Sequence, residues 1–116
     1  MSKSERLLQR AVELCQRTAG HYGLILSPTH VRSRALFGSP PKGVRDRVTL
    51  KVSSLTWVFP NGSKLQFGYL DHPTSLVERY GAPEYSFFGQ EPLLSEAEEA
   101  FMKSKVRLRP EGDVFP

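Results

Sequence analysis

The chain has 116 residues, 39% of them hydrophobic, with 16 Lys/Arg against 12 Asp/Glu and a formal net charge of +4. A chain of that length makes one domain, or part of one, around a single modest core. No apolar run approaches the roughly 20 residues of a membrane span, so no membrane partner is expected.

In chain order, residues 1–20 are expected as an N-terminal helix. Ser2-Lys3-Ser4-Glu5 spells a capping box, and Leu7, Leu8, Ala11, Leu14 and Cys15 recur at helical spacing. The helix should end near Gly20, and it needs a partner surface to be stable in water. Cys15 is the single cysteine. It has no internal disulfide partner, which fits a reducing compartment, and on an apolar face it reads as a small buried hydrophobe. With no secretory leader visible, the cytoplasm is the expected location.

Residues 21–43 read as a short helix and a loop. Gly23-Leu24-Ile25-Leu26 is a buried strand or a helix entry. Ser27-Pro28 suits an N-cap with proline in the first turn. Val31, Ala35 and Leu36 would face inward with Arg32 and Arg34 outward, and Gly38 would stop the helix. Residues 44–70 read as a strand plus a hairpin. Arg47–Val52 alternates in polarity, and Asn61-Gly62 suits a two-residue turn because both positions tolerate positive φ. Pro60 places that end of the pairing at a turn shoulder or an edge.

Residues 71–116 read as a buried strand, a helix and a tail. Thr74–Tyr80 offers one or two helical turns, and Tyr85–Phe88 is the best candidate for a buried, parallel strand. Ser95-Glu96-Ala97-Glu98 opens a further helix whose early acids and late bases suit its dipole. Arg109-Pro110-Glu111-Gly112-Asp113 reads as tail. The whole is expected to be mixed α/β, with three or four strands, a central hairpin and two or three flanking helices.

Two stretches carry more than fold. Trp57–Leu70 reads Trp-Val-Phe-Pro-Asn-Gly-Ser-Lys-Leu-Gln-Phe-Gly-Tyr-Leu, and Tyr80–Gly89 reads Tyr-Gly-Ala-Pro-Glu-Tyr-Ser-Phe-Phe-Gly. Together they resemble the ATPase domain of the large subunit of bacteriophage terminases. In that family a Phe-Pro-Asn-Gly-Ser hairpin precedes the strand that carries the acidic Walker B pair. Arg32-Ser33-Arg34-Ala35-Leu36-Phe37 matches a basic-Ser-Arg-x-Leu-Phe helix end of the same family. Gln16-Arg17-Thr18 is similar to its Arg-Arg-Thr motif, although the helical pattern here departs from the strand that leads into that motif. The resemblance spans about Leu14 to Arg107. It implies a partial P-loop-ATPase-like sheet from a phage- or prophage-encoded DNA-packaging motor in the host cytoplasm. It also implies ATP and magnesium as cofactors of complete members, and double-stranded DNA and terminase or portal subunits as partners.

The chemistry that such a motor needs is incomplete. A phosphate-cradling loop, Gly-x-x-x-x-Gly-Lys-Ser/Thr, does not occur in the sequence. Gly38-Ser39-Pro40-Pro41-Lys42-Gly43 is no substitute, because its prolines lack the N–H groups that hold phosphate. After Phe87-Phe88-Gly89 the chain continues Gln90-Glu91-Pro92. On the simplest alignment one residue is deleted, Gln90 stands where the metal-holding Asp would, and Glu91 keeps the place of the catalytic Glu. An amide is a poorer ligand for a hard cation than a carboxylate. The chain is therefore expected to lack ATPase activity by itself and to hold no cofactor of its own.

The competing expectation is a small basic module that contacts DNA or a terminase or portal partner. Residues 1–51 hold ten Lys/Arg against three acids. Arg32, Arg34, Lys42, Arg45 and Arg47 are the candidate phosphate contacts. Other constellations are weak. His21, His30 and His72 lack the spacing of a zinc site, and no group orients Cys15 with a histidine as nucleophile and base.

Overall fold

Tyr22–Ser27, the first strand (β1), is buried from Gly23 onward, as a strand covered on both faces must be. In this computed structural model, which describes residues 2–69, 80, 83–91 and 107–115, it is the spine of the sheet. The helices expected over 74–80 and from Ser95 fall, Tyr80 aside, outside the described residues.

Six strands form one mixed sheet, flanked by two α-helices and one 3₁₀ turn among the described residues. The others are β2 (Thr49–Lys51), β3 (Thr56–Val58), β4 (Lys64–Tyr69), β5 (Glu84–Gln90) and β6 (Arg107–Val114), in the order β2-β3-β4-β1-β5-β6. β1 runs parallel to β4 and β5, and β5 runs parallel to β6. β2 and β3 pair antiparallel as an extension on β4. The mixed α/β class, the hairpin, its flanking strand and the buried parallel strand are as the sequence indicates. The sheet has more strands than the three or four expected.

Helix α1 (Lys3–Arg17) starts with the expected capping box: Glu5 N donates to Ser2 Oγ at 3.1 Å and Ser2 N donates back to Glu5 Oε1 at 3.5 Å. It ends at Arg17, and its buried face is Leu7, Ala11, Val12 and Cys15, with Leu8 and Leu14 only partly covered. That face meets Ile25, Leu65, Phe67 and Phe87 in one core cluster. A Cβ on Gly89 would run into Leu7, so the bare glycine lets the helix lie close to the end of β5. Leu24, Leu26, Tyr80, Tyr85 and Phe88 make a second cluster on the opposite face. There Gln66 Oε1 accepts hydroxyls from Tyr22 at 3.0 Å and Tyr85 at 2.7 Å.

Three local expectations are corrected. The hairpin loop has three residues: Phe59 N donates to Ser63 O at 2.8 Å and Gly62 N to Phe59 O at 3.1 Å. Only Gly62 takes a positive φ, +85°, because Pro60 has its φ preset for the first turn position and Asn61 follows it without left-handed backbone. Helix α2 (His30–Phe37) is capped by Thr29, whose hydroxyl accepts from Arg32 N at 3.2 Å, two residues later than Ser27. Its buried face is therefore Ser33 and Phe37 with Leu36 beside them, while Val31 is 79% exposed and Ala35 exposed. Ser33 is buried at no loss, since its hydroxyl donates to Phe67 O at 2.9 Å. Finally, Arg109–Asp113 is strand rather than tail. Its register against β5 slips between Tyr85 and Phe87, which leaves Arg109–Gly112 bulged at the sheet edge, where Pro110 is tolerated.

Candidate functional site

The parallel strands β1 and β5 end side by side. Glu91 N donates to Leu26 O at 2.9 Å, which carries the pairing one residue beyond β5 and fixes the backbone of Glu91 at the carboxyl end of the sheet. Ligands of open α/β sheets meet the protein at such ends. The Glu91 side chain is 4% exposed. Arg32, held at the start of α2 by the Thr29 cap, comes over it as a fork: Nε lies 3.2 and 3.0 Å from the two carboxylate oxygens and Nη2 lies 2.9 Å from Oε2. The hydrogen bonds to Glu91 raise the Arg32 pKa, against a smaller opposing effect of burial. A carboxylate gripped in this way has its charge answered and both of its oxygens hydrogen-bonded.

Gln90 occupies a different surface. Its register partner is Leu26, so its side chain leaves the sheet on the face of the Leu24–Tyr85 cluster, whereas Glu91 turns toward α2. Gln90 is 6% exposed, and both its amide oxygen and its amide nitrogen are buried without a hydrogen-bond partner. Ser27 Oγ, at the end of β1, is buried without a partner as well. Three polar groups thus gather at one end of two strands, two of them unsatisfied, a costly arrangement in a core. The set does not fit magnesium. Its one carboxylate is neutralised by Arg32, and the neighbouring amide departs from the opposite face. Among the described residues no group of three or more His, Cys, Asp or Glu is placed to hold a metal.

The five basic candidates do not converge. Arg32 is committed to Glu91. Arg34 lines a cleft of about 580 Å³ between α2 and the turn before β3. Lys42 and Arg45 share a shallow depression with Asp46. Arg47 lies elsewhere, beside Gln16, Phe59 and Pro60. The pairing of Arg32 with Glu91 joins residues 59 positions apart, and no spacing rule reaches that far. His21 was equally hidden. It is buried, its Nε2 has no partner, and it lines a second cavity of about 260 Å³ with Arg109, Glu111 and Asp113.

The Asn61-Gly62-Ser63 turn has a structural task here. Asn61 Nδ2 donates to Cys15 O at 2.8 Å, and Ser63 Oγ donates to Thr18 O at 2.6 Å while accepting from His21 N at 3.1 Å. The Asn-Gly-Ser loop therefore docks the carboxyl end of α1 onto the hairpin. No family model, curated protein or solved structure matches the chain. No helix among the described residues is long and apolar enough to cross a membrane.

Proposed function

We propose that the chain is a terminase-like segment of a phage DNA-packaging ATPase domain, with a partial P-loop-type sheet that does not hydrolyse ATP by itself. One observation carries the reading. Glu91 stands at the carboxyl end of a buried parallel strand, where the resemblance puts the catalytic glutamate, and Arg32 occupies both of its oxygens. Phosphoryl transfer relies on positioning and on neutralising charge. With the guanidinium on both oxygens and the side chain 4% exposed, little of the carboxylate is left open to an attacking water. Gln90 supplies no charge for a cation, and the sequence has no phosphate-cradling loop. The segment keeps the architecture around the glutamate while lacking the groups that hold a nucleotide. Double-stranded DNA and terminase or portal subunits are the partners that this reading carries.

The test is a thermal melt of the purified chain with and without magnesium-ATP, together with a phosphate-release assay. We expect a cooperative melt that ATP leaves unmoved and no release above background. A Tm that climbs with ATP would mean a surviving nucleotide site, through linkage of binding to folding, and would overturn the non-catalytic part of the reading. The DNA directly upstream of the coding region, read in all three frames, tests the family part. A Gly-x-x-x-x-Gly-Lys-Ser/Thr segment there supports it, and unrelated sequence counts against it.

A further inference from the structure

Leu55 is the one non-glycine residue with left-handed backbone among the described residues, at φ 49° and ψ 53°. Side chains of L-residues rarely adopt that conformation, and where it persists the surrounding structure enforces it, often at a binding site. Here it ends the 3₁₀ turn Val52–Ser54 and swings the chain away from β4 before β3 begins. Phe67 N still donates to Leu55 O at 2.8 Å, but beyond Phe67 the edge of β4 has no β3 beside it. The space left open is the cleft of about 580 Å³, within the size range of small-molecule sites.

Its walls have complementary chemistry. α2 contributes His30 and Arg34, one turn apart on one side. Ser53 and Ser54 stand opposite, with Leu55 as an apolar backing. Tyr69 lies against His30 with ring centroids 4.4 Å apart, which makes an aromatic wall. Among the described residues no carboxylate lines the cleft and none pairs with Arg34. A guanidinium fork matches a planar carboxylate or a phosphate, and the ring wall matches a flat apolar body.

We infer that this cleft binds a small aromatic anion: a planar ring that packs against His30 and Tyr69 and carries an acidic group held by Arg34 and the Ser53 and Ser54 hydroxyls. The site is separate from the Glu91 pair, since α2 sends Arg32 one way and His30 and Arg34 the other. It stands whether or not the terminase-like reading does.

The experiment is a titration of the full ¹⁵N-labelled chain with phenyl phosphate and with phenylacetate, followed by amide shifts. Phenylethanol and inorganic phosphate serve as the neutral and ring-free counterparts. We expect saturable shifts centred on Ser53, Ser54, Leu55 and Tyr69 with at least one of the two aromatic anions, and the tighter of the pair identifies the acidic group. Each counterpart should bind about tenfold more weakly or worse, as should the aromatic anion to Arg34→Gln, since a charge-assisted hydrogen bond is lost. Ser53→Glu, which puts a negative charge on the opposite wall without touching α2, should weaken it similarly. Arg34 and Ser53 are both exposed, so neither variant disturbs the core. Shifts that never saturate or that centre elsewhere overturn the proposal. So does inorganic phosphate binding as well as phenyl phosphate, or an affinity that both substitutions leave unchanged.

Discussion

Glu91 is held in a pair of which only one member is out of water: its side chain is 4% exposed and that of Arg32 46%. Removing the arginine strands a buried carboxylate, whereas removing both charges strands nothing. Arg32→Ala should therefore cost about 2–4 kcal/mol, toward the lower end for buried pairs because the guanidinium is half in solvent. The double variant Arg32→Met/Glu91→Leu should stay within about 1 kcal/mol of the parent, since well-packed apolar replacements of buried pairs are often neutral. Urea denaturation reads both, and a loss below about 0.5 kcal/mol for Arg32→Ala would put the pair among ordinary surface bridges. His21 makes a prediction about pH. Burial and the nearby Arg109 charge lower its pKa from 6.5, so the unfolded chain takes up the proton first. Stability is then present above pH 6.5 and lost as pH falls below it. Glu111 and Asp113 line the same cavity. A urea midpoint that drops between neutral and mildly acidic pH in the parent, and drops less in His21→Gln, is the expected result. Equal slopes would assign the acid sensitivity to other groups. Neither residue announces its role in the sequence, because both roles depend on partners distant along the chain.

The hairpin and its loop show how far local chemistry can be read at the level of elements. Alternation in Arg47–Val52 and the Asn-Gly dipeptide announced a strand and a hairpin, and both are present. The loop length was not readable from Asn-Gly alone, because Pro60 competes for a defined turn position and wins. The caps of α1 were readable as Ser2 and Glu5, and those of α2 were not. Ser27 and Thr29 are both good caps, and the choice between them is made when β1 claims Ser27 as its last residue. Strand β6 was hidden by its own composition, since Arg-Leu-Arg-Pro-Glu-Gly-Asp-Val has no alternation and holds both Pro and Gly. It is a strand because the open edge of β5 gives it a partner. The loop offers the sharper test. Gly62→Ala places a side chain at φ +85° and should cost about 1–2 kcal/mol. Asn61→Ala, which frees the Cys15 carbonyl and the Ser63 N–H, should cost about 1–3 kcal/mol. Thermal melts of the two would show whether the loop is an anchor for α1 or only a bend. A loss below about 0.5 kcal/mol for Asn61→Ala would favour the bend, as surface substitutions usually fall in that range.

For the molecule as a whole, the fold class was readable because apolar runs, alternation and helical spacing each point to a different element and do not conflict. The order of strands was not, since it depends on long-range pairing. Cys15 reports on how firmly α1 is held against that sheet. It sits in the core between α1 and the sheet, its thiol donates to Lys64 O at 3.6 Å, and burial pushes its pKa up to about 12. We expect a maleimide or disulfide reagent at mildly alkaline pH to modify it no faster than the chain opens. Above pH 9 the unfolded chain ionises first, so stability should decline from there toward pH 12. Rapid modification of the native chain would mean that α1 detaches on its own. The parallel pairing of β1 has a further consequence, one of timing. On the ribosome Tyr22–Ser27 leaves the exit tunnel before either of its neighbours, one of which begins at Lys64 and the other at Glu84. Until those arrive, an apolar strand and the sheet-facing stripe of α1 wait without partners, open to whatever strand edge or chaperone is nearest. For this chain, the yield of folded protein should follow the speed of translation and the occupancy of holdases as closely as it follows the stability of the finished sheet.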